Sequence, residues 1–297
     1  MSITKSGIIT ICGRPNVGKS TLTNTLVGEK IAIVSPKPQT TRNRICAVLN
    51  RDDTQFVFVD TPGLHKARTR LGDYMVDVVR KSVADVDGVM LLVEPIDKIG
   101  PAEQELIARI KTLGAPAVLV INKIDTIEKE KLLAVMAVYG AAYDWDAIVP
   151  ISAMTGEGVE ELLQVLTKWI PEGPQLFPED MVTDQPERQI MAEIVREKLL
   201  RNLDKEIPHG TAVEVTRFSQ RDNDIIDCHV TIYCEKDSHK GIIIGKKGAM
   251  LKKISTQARE DMESFMGAKV YLETWVKVKE NWRDNPNAIQ NFGYTQD

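Results

Sequence analysis

Short, nearly unbroken apolar runs alternate with longer amphipathic stretches through the first 170 residues. The runs at 7–12, 45–49, 56–60, 88–94, 117–122 and 147–151 are mostly rich in β-branched residues. They read as strands covered on both faces. Between them, residues 19–26, 71–84, 102–113, 127–139 and 159–170 read as helices with one apolar face. This strand–helix alternation predicts an α/β half with a mostly parallel, doubly wound sheet. Ligands then bind at the carboxyl ends of its strands.

The pattern changes after Pro171-Glu172-Gly173-Pro174 and Pro178, which cannot continue a helix. A helix is expected over 187–203, with Ile190, Met191, Ile194, Val195 and Leu199 on one face. Strands follow at 212–218 and 225–234, then a Gly-rich helical region at 239–265 and a last strand at 269–279. The reading is therefore a first domain over 1–172, a linker over 173–186 and a smaller α+β domain over 187–297. No internal repeat or low-complexity tract interrupts it.

The chain has 297 residues, enough for two domains, with 43% hydrophobic and 27% charged positions, as globular chains have. No apolar run reaches the roughly 18–20 residues of a bilayer span, and the start carries no cleavage pattern, so a cytosolic protein is expected. Cys12, Cys46, Cys228 and Cys234 form no CxxC pair, and the four histidines lack ligand spacing. Buried reduced thiols are expected rather than disulfides or a zinc site. A net charge of −4 argues against nucleic acid only if the chain is treated as one body. From Lys240 to Arg283 there are ten Lys or Arg against five Asp or Glu, a local +5 that leaves −9 elsewhere.

Gly13-Arg14-Pro15-Asn16-Val17-Gly18-Lys19-Ser20 matches GxxxxGK[ST] between a strand and a helix. Its glycines free the backbone to point N–H groups at an anion, Lys19 reaches the β and γ phosphates, and Ser20 offers a hydroxyl to Mg²⁺. Expected nucleotide contacts run from Gly13 through Thr21. Asn122-Lys123-Ile124-Asp125 follows the fifth strand. The Asp125 carboxylate can accept from guanine's N1–H and its exocyclic amine. At about 1.5–3 kcal/mol each, two such bonds prefer guanine over adenine by roughly 10²–10⁴-fold. Lys123 can pack its stem along the base, and Ser152-Ala153 can offer a main-chain N–H to guanine O6. Asp60-Thr61-Pro62-Gly63 ends the third strand, where Asp60 can hold Mg²⁺ through water and the Gly63 N–H can touch the γ phosphate. Pro38-Gln39-Thr40-Thr41-Arg42 lies between, and either Thr40 or Thr41 can close over Mg²⁺.

Together these motifs resemble the translation-factor-related GTPases. The Pro38–Arg42 loop and the string from Asp60 through Leu64 and His65 resemble the Era family of bacterial ribosome-assembly GTPases, over the full chain. The resemblance implies that Thr41 is the switch threonine. It also implies that Leu64, standing where Ras-like enzymes carry a water-orienting glutamine, accompanies slow intrinsic hydrolysis. Asn16 matches a position that helps bind K⁺ in related GTPases, where the ion substitutes for an arginine finger. His65 is a weak candidate base.

Gly245-Lys246-Lys247-Gly248 is a GxxG, which alone carries little. Here an apolar helix precedes it, two lysines fill it and an amphipathic helix with Leu251, Ile254, Ala258 and Met262 follows. That is the arrangement of a KH domain, whose GxxG loop clamps about four nucleotides. The element order resembles the type II form. Gly245, Lys246, Lys247, Gly248, Lys252 and Lys277 are the expected RNA contacts. In the last strand Val276 and Val278 face one way, and Trp275, Lys277 and Lys279 the other. Trp275, Trp282 and Arg283 fit either core or surface. By resemblance the RNA is the 3′ end of 16S rRNA, the process is 30S subunit maturation, and some of the protein associates peripherally with the inner membrane. A monomer is expected. GTP is expected to order residues 40–42 and 60–65 and to alter RNA access. A second reading is a signalling or cell-cycle GTPase whose C-terminal domain binds a protein.

Overall fold

Six of the apolar runs become six strands: β1 (Lys5–Cys12), β2 (Ile45–Arg51), β3 (Thr54–Asp60), β4 (Gly88–Val93), β5 (Ala117–Ile121) and β6 (Ala147–Pro150). They are seen in a computed structural model, which describes residues 3–63, 69–81, 86–221 and 224–294. The sheet order is β2-β3-β1-β4-β5-β6. Only β2 runs antiparallel to its neighbour; the other pairs are parallel. β3, β4 and β5 are buried along their whole length, which explains why their sequences do not alternate.

Helices cover both faces. On one, Leu22 and Leu26 of α1 (Lys19–Val27) and Leu162 and Leu166 of α5 (Val159–Thr167) pack on Ile9, Ile11, Met90 and Leu92. On the other, Leu106 and Ile110 of α3 (Pro101–Leu113) and Val135 and Tyr139 of α4 (Lys129–Gly140) pack on Val89, Leu91 and Val93. A further helix, α2 (Arg70–Lys81), starts one residue before the expected position. Residues 82–84 of that expectation lie outside the described residues. Because β1, β3, β5 and β6 run in the same direction, the loops at 13–18, 61–63, 122–126 and 151–156 leave one edge of the sheet.

Contacts divide the chain into two units: residues 1–32, 41–66 and 75–184, and residues 33–40, 67–74 and 185–297. Residues 173–184 run along the first unit. The Val48 N–H donates to Val182 O at 2.9 Å, and Gln55 Oε1 accepts from the N–H groups of Leu176 and Phe177, both at 2.8 Å.

The second unit is built from α6 (Glu187–Asn202), β7 (Ala212–Gln220), β8 (Ile226–Cys234), α7 (Asp237–Ile244), α8 (Ala249–Met266) and β9 (Val270–Val278). β8 is central, antiparallel to β7 and parallel to β9. Ile194 and Leu199 of α6, Ile243 of α7, and Ile254 and Met262 of α8 share one core with Val230, Ile232 and Val276. The Gly-rich stretch thus resolves into two helices joined by a 3-10 turn at Lys246–Gly248. The chain then adds α9 (Pro286–Asn291), which the sequence pattern did not indicate. Asn285 caps it, its side chain accepting from the Ala288 N–H. Trp282 is fully buried and donates Nε1–H to Gly210 O at 2.9 Å, so it belongs to the core. Trp275, 58% exposed, belongs to the surface.

All four cysteines are buried and unpaired. Burial pushes the Cys12, Cys46 and Cys228 thiols up to about 12, and raises Cys234 as well. Iodoacetamide at pH 8 should therefore modify none of them in the native protein and all four in urea, as counted by intact mass. Rapid native labelling would contradict this burial.

Candidate functional site

The phosphate loop owes its path to Gly18. Its φ of 103° lies in the left-handed region, and a Cβ there would come 2.2 Å from Asn122 Nδ2. Lys19, 5% exposed, folds back so that Nζ donates to Gly13 O at 3.1 Å and Arg14 O at 3.0 Å. Burial lowers its pKa, an effect opposed by Asp60 and Cys12. A buried cation at a ring of main-chain donors favours an anionic guest.

Next to it, three oxygen-bearing side chains converge from three elements. Ser20 Oγ donates to Asp60 Oδ2 at 2.8 Å and lies 2.8 Å from Thr41 Oγ1. Asp60 is fully buried, and among the described residues its Oδ1 has no hydrogen-bond partner. Burial pushes its pKa up to about 6, with Lys19 and the Ser20 hydrogen bond opposing the rise. An orphaned buried carboxylate oxygen beside two hydroxyls fits a hard cation such as Mg²⁺. Thr40 is not part of this cluster, since its hydroxyl donates to Lys37 O at 2.7 Å. Thr61 donates to Ile11 O at 2.9 Å and is buried. Leu64 and His65 lie outside the described residues.

The base-reading residues are tied to the phosphate loop. Asn122 Nδ2 donates to Val17 O at 2.8 Å, and Asn122 Oδ1 accepts from the Ala153 N–H at 2.9 Å. The Ser152 N–H donates to Glu157 O at 2.9 Å. The main-chain donors considered for guanine O6 are thus committed within the protein. Lys123 takes a φ of 65° and sends Nζ to Asn16 O at 2.7 Å and to Glu94. Asp125 is exposed, in a 3-10 turn. Glu94 also pairs with Arg14, so it bridges the phosphate loop and Lys123.

In the second unit, Gly245 takes a φ of 74°, and a Cβ there would meet Met250 at 2.7 Å. That forces a tight turn, and exposed Lys246 and Lys247 sit on it just before the α8 N-terminus. Gly248 and exposed Lys252 stand at the start of α8. Lys277 is not brought to this turn. Val276 packs against the helices, so its neighbour Lys277 points from the opposite face of the sheet, the same face as Trp275.

A family model described as a 50S ribosome-binding GTPase matches residues 8–123, and one for the KH domain matches residues 206–283. GTPase Era of Clostridium kluyveri is 51% identical over 290 residues, covering 98% of this chain and 99% of that one. Its counterpart in Alkaliphilus metalliredigens is 52% identical over 291 residues, covering 98% and 99%. The chain belongs to the Era family of GTPases. A crystal structure of an Aquifex aeolicus Era variant bound to GDP.AlF4⁻ superposes with a TM-score of 0.94 at 39% identity, covering 98% of this chain and all of that one. An Era complex with MgGDPNP and nucleotides 1506–1542 of 16S ribosomal RNA has the same TM-score and identity, and covers 99% of this chain and 100% of that one.

Within the Era framework, the residues that sequence reasoning missed are the ones that support others. Glu94 was read as the end of a strand, and its acidity at the carboxyl edge of the sheet was the available signal. Asn122 was read for the base, yet here it acts as a brace between three loops. Asn122→Ala should leave a buried carbonyl and a buried N–H unpaired. Without nucleotide it should lower unfolding free energy by about 2–4 kcal/mol in urea titrations. A change below about 0.5 kcal/mol would contradict the bracing role.

Proposed function

We propose that this Era-family GTPase is a nucleotide switch that binds the 3′ end of 16S rRNA and acts in 30S subunit assembly and rRNA maturation. The observation that carries this reading is a basic GxxG turn on a KH fold in the same chain as a guanine-nucleotide cradle. The Era complex holding MgGDPNP and 16S rRNA nucleotides supports it. The cytoplasm is then its place of work. Among the described residues no helix is long and apolar enough to cross a membrane. Residues 1–172 serve the nucleotide, 187–297 serve the RNA, and 173–186 join them.

In this reading the loop from Gly13 to Thr21 wraps the phosphates. Lys19 leaves the Gly13 and Arg14 carbonyls to meet the β and γ oxygens, and Asp125 accepts from guanine. Ser20, Thr41 and Asp60 hold Mg²⁺, which supplies positive charge to the phosphate oxygens. Ser20 donates to Asp60 and accepts from Thr41, so both hydroxyls would turn their lone pairs toward the metal. Leu64 cannot orient water as a glutamine does, so intrinsic turnover is slow and positioning matters more than a base. K⁺ at Asn16 adds charge in place of an arginine finger, a role that equal turnover in NaCl and KCl would dismiss. Lys246, Lys247 and Lys252 neutralise RNA phosphates while Gly245 and Gly248 let the backbone approach.

The combined variant Lys246→Asp and Lys247→Asp tests the RNA half. Affinity for a 16S 3′-end oligonucleotide should fall at least tenfold while GTP turnover stays unchanged. The wild-type salt dependence should have a log–log slope of about −0.7 per phosphate contacted. Unchanged RNA affinity in the variant would overturn the clamp and favour the reading in which the second domain binds a protein.

A further inference from the structure

The sheet of the second unit turns Val230, Ile232 and Val276 toward its helices. The two-residue period of β8 and β9 sends Asp227, His229, Tyr271, Glu273, Trp275 and Lys277 to the other face. β7 adds to that face through a bulge. Val213 and Val215 point into the core, and the register then shifts between Val215 and Arg217. The extra residue turns Arg217 outward, opposite His229. The Gly245–Gly248 turn, which joins two of the helices, does not belong to this face.

Two large aromatics stand on it. Tyr271 is 46% exposed and Trp275 more so, and they lie four residues apart on β9, about 13 Å along the strand. Grouped exposed aromatics mark a contact surface, where a single one would not. The Trp275 Nε1–H donates to Glu273 Oε1 at 3.0 Å, which fixes the edge of the indole. Arg221 sets its guanidinium over the Tyr271 ring, 4.5 Å from the centroid. The carboxylates here are committed. Asp227 is buried, accepts from Arg221 at 2.8 Å, and pairs with Arg217 at 3.3 Å. Glu273 holds Trp275 and lies 3.6 Å from His229 Nε2. The cations reach outward: Arg217 and Arg221 keep 60% and 42% of their side chains exposed, and Lys277 is exposed too. The charge that meets solvent is therefore mainly positive. Flat stacking surfaces interleaved with cations match a single strand, which alternates bases with phosphates.

We propose that this sheet face is a second surface for single-stranded RNA, separate from the Gly245–Gly248 turn. Trp275 and the Arg221–Tyr271 pair stack bases, and Arg217 and Lys277 neutralise phosphates. Stacking of this kind tolerates any base, so the surface adds affinity and length rather than sequence preference. The inference rests on the reading of the second domain as an RNA-binding unit. It also gives Lys277 an RNA role that its distance from the turn denies it there.

The test uses the full chain with a fluorescent RNA of about twelve nucleotides from the 16S 3′ end. Trp275→Ala should weaken binding roughly tenfold and Trp275→Phe less than about threefold. Because Trp275 is exposed, its loss should leave the melting temperature within about 2 °C. Lys277→Gln should make the log–log salt slope shallower by about 0.7. With 4-thiouridine in the RNA, near-ultraviolet light should crosslink it to a peptide carrying Tyr271 or Trp275 as well as to the Gly245–Gly248 turn. Unchanged affinity in Trp275→Ala overturns the proposal and leaves the face to a protein partner. A loss of affinity without a crosslink on β9 overturns it as well. If the combined Lys246→Asp and Lys247→Asp variant keeps its affinity while Trp275→Ala loses it, the clamp fails and the sheet surface stands. If both variants keep it, the RNA reading of the domain fails and this inference with it.

Discussion

Asp60 carries a carboxylate to a place that water does not reach. Its cost is visible in the raised pKa and in the oxygen that finds no partner among the described residues. Such a group persists in a folded protein only when something outside the chain satisfies it, or when its neighbours offset the cost. Lys19 and Ser20 supply the partial offset. The remainder is best met by a divalent cation whose other charge faces a triphosphate. The parallel sheet puts β1 and β3 side by side, so the phosphate loop and Asp60 leave the same edge. The glycine at position 18 and the brace of Asn122 then keep the loop at that edge.

Much of this could be read from sequence, for a local reason. Strands buried on both faces reveal themselves as apolar runs, and a phosphate loop is eight contiguous residues. The guanine-reading string is equally contiguous. The second domain was legible in its element order, because amphipathic helices and alternating strands also write short-range signals. Where the reading stopped, the signal was long-range or very short. Helix α9 has six residues and no period to detect, and Trp282 looked the same whether buried or exposed. The choice between Thr40 and Thr41 could not come from two adjacent, chemically identical side chains. It comes from the hydroxyl partners, Lys37 O for one and Ser20 for the other.

Arg196 illustrates the same limit of locality. It lies inside a helix whose apolar face is already explained as core. A charged residue at such a position reads as solvated until the fold shows that it is fully buried. Lys277 was legible in the same way: the two-residue period of β9 places it with Trp275, opposite Val276, and the strand runs as that period predicts. Charge alone does not locate a site; the element that carries it decides which way it points.

In the proposed switch, Ser20, Thr41 and Asp60 hold the metal on which it turns. The most direct measurement is a crystal structure of the full chain with a non-hydrolysable GTP analogue and Mn²⁺, located by anomalous scattering. One Mn²⁺ bonded to Ser20 Oγ and Thr41 Oγ1 at about 2.1 Å is expected. Asp60 would be bonded to it directly or through one water. A Mn²⁺ held by the phosphates with Thr41 turned away, or bound at some other cluster, would contradict it.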